Sequence, residues 1–193
     1  VQSQNTFENV EDGVYLKKVH EIDLAKAEIK KRANEWIAKA FKNSNYVTRM
    51  NSEDKIIAKG SFNVGGDIEA YGISTYSEQN VDYTLDLAFK DGRYKIEILD
   101  ATIGQNNMSS PISAYLMDID EYKDFMTKQA NAFDESMKKI VLKRINNERK
   151  FKKDFETMKN YGEQIIPQLE DYFQAIDKSL NSFLKKKLDE DDW

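Results

Sequence analysis

The residues best suited to chemistry in this 193-residue chain are few: a single histidine, His20, no cysteine, and small groups of carboxylates. A lone imidazole can be neither half of a two-histidine metal site nor part of paired Glu-x-x-His motifs. A general base also needs a nucleophile within reach, and the sequence near His20 supplies none. His20 is therefore read as a histidine on a strand edge. Asp86 and Glu97, with Asp82 nearby, offer the hard oxygen donors that a cation such as calcium takes, but they are too few to specify a site. They are read as a solvated carboxylate pair relieved by Lys95 or by a lysine on a neighbouring strand. Asp118, Asp120 and Glu121 cluster where a helix begins, which suits carboxylates meeting open N–H groups and the positive end of the helix dipole. Gly65-Gly66 lacks the strand-loop-helix setting of a phosphate cradle and is read as a turn. Asn107-Met108-Ser109 fits the glycosylation acceptor pattern, a match too short to carry weight. No catalytic, cofactor-binding or metal-binding residue is assigned, and no cofactor is expected.

What must position these groups is a hairpin. Val81 to Thr102 contains two alternating runs separated by Asp91-Gly92, a pair that favours a type I′ turn with positive φ at both positions. Pairing Lys90 with Arg93 sets Phe89 opposite Tyr94, Leu87 opposite Ile96 and Leu85 opposite Ile98, all on one face. The other face then carries Asp82, Thr84, Asp86, Lys95 and Glu97. Upstream, residues 1–12 are expected to form a flexible arm and Gly13 to Ile22 an edge strand whose lysines discourage further pairing. Asp23 is expected to cap a helix whose core face is Ile29, Ala33, Trp36, Ile37, Ala40 and Phe41, with Trp36 behind Leu87 and Ile96, and that ends at Asn43-Ser44-Asn45. Short and long strands follow over 46–51 and 55–64; residues 67–80 read as an extended connection, with an added irregular strand as the alternative, and 102–113 as a polar loop around Pro111.

From Asp118 the period becomes helical. One apolar stripe runs through Tyr122, Phe133, Met137, Ile140, Phe151 and Phe155, and a second through Ile165, Tyr172, Phe173, Leu180 and Phe183. Gly162 and Pro167 between them predict a helical hairpin, with a single kinked helix as the alternative. Residues 13–117 are thus expected as an α+β domain that folds without the chain beyond Asn160, residues 118–188 as a helical extension, and 189–193 as an acidic tail. Folded inward, the stripes are core. Projecting outward, Phe151, Phe155, Tyr172, Phe173 and Phe183 would form an interaction surface for a partner protein, a second copy of the chain or an apolar ligand.

Composition narrows the classes. Hydrophobic residues make up 40% of the chain, enough for a packed core. No run approaches the ~18–20 apolar residues that a spanning helix needs. A net charge of −5 argues against nucleic acid as partner, since that affinity rests on a clustered basic face. The absence of cysteine rules out disulfides and leaves the compartment open, cytoplasm included.

The order strand, helix, four strands, helix, together with Lys59-Gly60, Trp36-Ile37-Ala38-Lys39-Ala40-Phe41 and Lys90-Asp91-Gly92-Arg93-Tyr94, resembles a bacterial domain of unknown function with a TATA-binding-protein-like fold, common in exported proteins of the Bacteroidetes. The resemblance covers roughly Gly13 to Tyr122. It implies an antiparallel sheet of about five strands covered on one face by helices, and a periplasmic or secreted protein whose signal peptide has been removed. All its motifs are structural, so it brings no site residues. The functional expectation is a non-catalytic exported module that acts through protein interaction or self-association, by its sheet face or its C-terminal helices. The alternative is a binder of an apolar small molecule between sheet and helix.

Overall fold

The computed structural model describes residues 13–40, 47–70, 72–105 and 108–186. The expected arm over 1–12, the helix end at Asn43-Ser44-Asn45, the acidic tail and Asn107 lie outside the described residues. In chain order the elements are β1 (Val14–Glu21), α1 (Lys26–Ala40), β2 (Val47–Asn51), β3 (Lys55–Ala70), β4 (Ile73–Lys90), β5 (Arg93–Gln105), β6 (Met108–Pro111), a 3-10 turn over Ile112–Tyr115, α2 (Ile119–Ala130), α3 (Glu135–Ile145) and α4 (Glu148–Lys185). The strands form one sheet in the order β1-β5-β4-β3-β2, with the short β6 on β5.

The central hairpin follows its hydrophobic pattern. Val81, Tyr83, Leu85, Leu87 and Phe89 on β4, and Tyr94, Ile96 and Ile98 on β5, are all buried. Its turn differs from the expectation: only Gly92 has positive φ (75°), so the type I′ form does not occur. The turn is instead tied to the β1–α1 connection. Ile22 N donates to Gly92 O (2.9 Å) and Gly92 N to Leu24 O (3.0 Å). The Asp91 carboxylate accepts from Lys26 N at 2.8 Å, at the start of α1, a role expected of Asp23.

The chain forms two compact units: residues 1–62, 80–102 and 169–193, and residues 63–79 and 103–168. This is not the linear division at 117/118, because the long strands and α4 each contribute to both. In the first unit β1 pairs antiparallel with β5, setting Lys17 opposite Glu97 and His20 opposite Tyr94. A register shift between Val14 and Leu16 lets the consecutive Tyr15 and Leu16 both be buried. Helix α1 buries Ile29, Ala33, Trp36 and Ile37, while Ala40, expected with them, is exposed at the helix's last position and Phe41 lies outside the described residues. The Trp36 indole donates to Ser179 Oγ (3.0 Å) on α4. The C-terminal half of α4 adds Leu169, Phe173, Ile176, Leu180 and Leu184 to this core. A sheet domain cut off at Asn160 would lack these five side chains.

In the second unit, Gly65-Gly66 is not a turn but lies inside β3, and residues 73–80 belong to β4. The glycines serve close approach. A Cβ on Gly65 would stand 2.0 Å from Tyr76 Oη, and one on Gly66 would stand 3.1 Å from Gln164 Cβ. Gly72, with φ of 77°, makes the turn instead. The expected loop over 102–113 is largely strand, and Pro111 closes β6. Nor do Gly162 and Pro167 form a helix-to-helix turn: α4 runs through both as one helix of 38 residues. Pro167 and Glu163, whose carbonyl loses its helical partner there, are both exposed to water, while Ile165 and Leu169 on the buried face hold the helix together. Gly162 accommodates Tyr115, whose Cβ and Cδ1 would lie 3.2 Å from an added Cβ.

Candidate functional site

Helix ends shape the second unit's surface. Asp118 caps α2 in a capping box with Glu121, as the acidic cluster predicted. Asp134 caps α3 through Ser136 N (2.9 Å) and Met137 N (3.0 Å), and Asn147 Oδ1 accepts from Lys150 N (3.1 Å) in the first turn of α4. These Asp and Asn signals split the first apolar stripe into three helices, where the sequence reading took it as one. The consequence is exposure. Phe133 is 46% exposed, Met137 43% and Ile140 61%, three residues expected in the core. Met137 and Ile140, three positions apart, share one side of α3, and Phe133 stands in the bend just before its cap Asp134.

The proposed aromatic surface turns inward instead. Phe173 is 1% exposed, with its ring 5.5 Å from Tyr83, 5.8 Å from Phe62 and 6.4 Å from Tyr15. Phe151 is 6% exposed and stacks on Tyr122, against which Phe155 also packs. Tyr172 stacks on Phe62 at 3.6 Å, and Phe183 lies under the Lys39 ammonium. Phe155, Tyr172 and Phe183 are half-buried. The five therefore divide between the two units, with Phe151 and Phe173 buried and the other three half-buried.

Beside α3 the second unit holds a cavity of about 700 Å³. Its apolar lining includes Ile68, Tyr115, Met158 and Tyr161, and its charged lining Arg144, Arg149, Lys150 and Lys153 against Glu69 and Asp154. Arg144 and Asp154 are joined by two hydrogen bonds of 2.5 and 2.6 Å. Tyr161 Oη donates to Ser77 O (3.2 Å), and Lys159 Nζ donates to the carbonyls of Tyr115 (3.2 Å) and Met117 (3.4 Å). Burial, followed by the neighbouring Tyr161 and Tyr122, pushes the Tyr115 phenol up to about 12, so it is a neutral O–H group at physiological pH. Two glutamines fasten α4 to β3. Gln164 exchanges hydrogen bonds with both the N–H (2.8 Å) and the C=O (2.9 Å) of Asp67, and Gln168 does the same with Gly65 (3.3 and 2.7 Å).

The acid and imidazole groups of the first unit are occupied by structural partners. His20 Nε2 lies 2.6 Å from Oδ1 of Asp177, a buried carboxylate that also accepts from Lys18 Nζ at 2.8 Å. The imidazole stacks on Tyr94, with ring centroids 5.0 Å apart. Sequence reading missed this pair because 157 positions separate its members. Asp86 is bound by Lys55 (2.7 Å), and Glu97 by Lys95 (2.5 Å) and Lys17 (3.3 Å) on the neighbouring strand. The carboxylate pair is thus relieved by lysines as expected, although it is buried and not solvated.

The antiparallel sheet with α1 between its first two strands and a long helix at its end defines an α+β protein of the TBP-like fold class. The model of a domain of unknown function, DUF4468, with TBP-like fold matches residues 15–103. A DUF4468 family protein from Bacteroides ovatus is similar in structure, with a TM-score of 0.53, 14% sequence identity, and coverage of 90% of this chain and 89% of that one. A TBP-like protein from Parabacteroides distasonis gives a TM-score of 0.49 at 12% identity, covering 90% of this chain and 96% of that one. The Bacteroides ovatus likeness, which concerns fold alone, extends beyond the family match into the C-terminal helices. No curated protein matches the sequence.

Proposed function

We propose that the chain is a non-catalytic, exported interaction module that meets an acidic protein partner through α3. The observation that carries this reading is the exposed apolar group at α3: Met137 and Ile140 at the spacing used when a helix lies in a partner's groove, with Phe133 just before the helix. Lys138, Lys139 and Lys143 outnumber Glu135 on the same helix, where Arg144 is paired with Asp154, in a chain whose net charge is −5. Two copies meeting through α3 would oppose like charges, so complementarity favours an acidic partner over self-association. An apolar group adds nothing to phosphate binding, and the outer sheet face carries lysine–carboxylate pairs, so nucleic acid is the poorer fit. The non-catalytic reading is supported by the occupation of His20, Asp86, Glu97 and Asp177 by structural partners. Export rests on the family resemblance, and fractionation of cells carrying the complete gene checks it.

An apolar ligand between sheet and helix in the first unit has less support, because Leu85, Leu87, Ile96 and Ile98 are fully enclosed by side chains. Native mass spectrometry after gentle purification from the source cells tests the main reading. The expected result is a complex with a second protein that disappears in a Phe133→Asp, Ile140→Asp variant of unchanged thermal midpoint. A complex indifferent to those changes, or a homodimer, would overturn it.

A further inference from the structure

We infer that the cavity of the second unit is a binding site for an anionic amphiphile: one molecule with an apolar body and a single phosphate, sulfate or carboxylate head. This inference is independent of the α3 reading. About 700 Å³ falls within the ~300–1,000 Å³ usual for small-molecule sites. Tyr115 and Tyr161, with ring centroids 6.2 Å apart, combine with Ile68 and Met158 into a surface that would cover an acyl or aromatic body. At the charged side, Lys153 follows Arg149 by four positions and Lys150 by three, and so neighbours both on α4's first turns. The positive end of the helix dipole adds to their field. Arg144 is held by Asp154 and the carboxylate is neutralised there, which leaves Glu69 as the opposing charge in the lining. An acidic chain thus concentrates cations around an aromatic hollow, which selects for a ligand carrying both an anionic and an apolar part.

Isothermal titration of the whole protein with decyl phosphate, decyltrimethylammonium and inorganic phosphate tests the site. Decyl phosphate is expected to bind at least about tenfold tighter than either of the others, and Arg149→Glu with Lys150→Glu is expected to remove that preference without moving the thermal midpoint. If that double variant does not fold, Arg149→Gln alone is expected to weaken decyl phosphate severalfold. Equal binding of the two decyl compounds would reduce the cavity to an apolar patch, and equal binding of inorganic phosphate would remove the role of the tyrosines. Either result overturns the inference, as does binding to phosphatidylglycerol vesicles without binding of monomeric decyl phosphate. Loss of α3-dependent complex formation would leave this result untouched.

Discussion

At the scale of single residues, two buried side chains test the packing and the electrostatics. Trp36 combines a wholly packed indole with a hydrogen bond to Ser179, so Trp36→Ala should cost about 3–5 kcal/mol in a denaturant titration. A loss under about 1 kcal/mol, typical of a surface change, would contradict its placement. Burial, the largest single influence on Glu97, would raise its pKa, yet the ammonium groups of Lys95 and Lys17 together hold the carboxyl below its ordinary value. Its stabilising contribution is therefore present above the unfolded value of about 4.3 and is lost as pH falls through the lower folded value. Glu97→Gln should lower the urea midpoint at pH 7, and the gap to the parent protein should close as pH falls through the lowered value of the Glu97 carboxyl. A gap that persists below that value would mean that Glu97 contributes mainly by shape. The charged partners of Asp177 were beyond sequence reading, since Lys18 and His20 meet it only after the chain has closed on itself.

At the scale of elements, strands with one apolar face were legible and glycine-bearing ones were not. The hairpin faces and α1's buried stripe follow period-two and period-3.6 patterns directly. Gly65-Gly66 and Gly162 were taken for breaks because a glycine's local meaning is a turn, whereas here the missing Cβ makes room for Tyr76, Gln164 and Tyr115. Helix α4 survives Pro167 for a related reason: a ring at an exposed position costs less than the burial of Ile165, Leu169 and Phe173 returns. Gln164 and Gln168 occupy the N–H and C=O of Gly65 and Asp67 as a neighbouring strand would, protecting that stretch of β3 from other chains. Replacing both glutamines with alanine should speed hydrogen exchange at the Gly65 and Asp67 amides by roughly tenfold, for a cost of about 1–2 kcal/mol. Unchanged exchange at those two amides would show that other groups protect them.

At the scale of the whole molecule, the helical region is integral to the fold. Its last five turns supply Leu169, Phe173, Ile176, Leu180 and Leu184 to the core that contains the hairpin. Truncation after Asn160 should therefore abolish the cooperative thermal transition of the sheet, and a truncated protein with a normal transition would contradict that dependence. The candidate surface was the least legible feature. Phe133, Met137 and Ile140 have the same apolar pattern as their neighbours on the stripe, and only the caps at Asp134 and Asn147, which cut α3 out as a separate short helix, leave them uncovered. The claim that α3 serves a partner is tested most directly by a photocrosslinking residue at position 140, with one at Met50 as an exposed control, in source cells carrying the complete gene. The account predicts one heterologous adduct at 140, absent at 50 and lost when Lys138, Lys139 and Lys143 are changed to Glu. No adduct above the control, or an adduct of twice the chain's own mass, would contradict it.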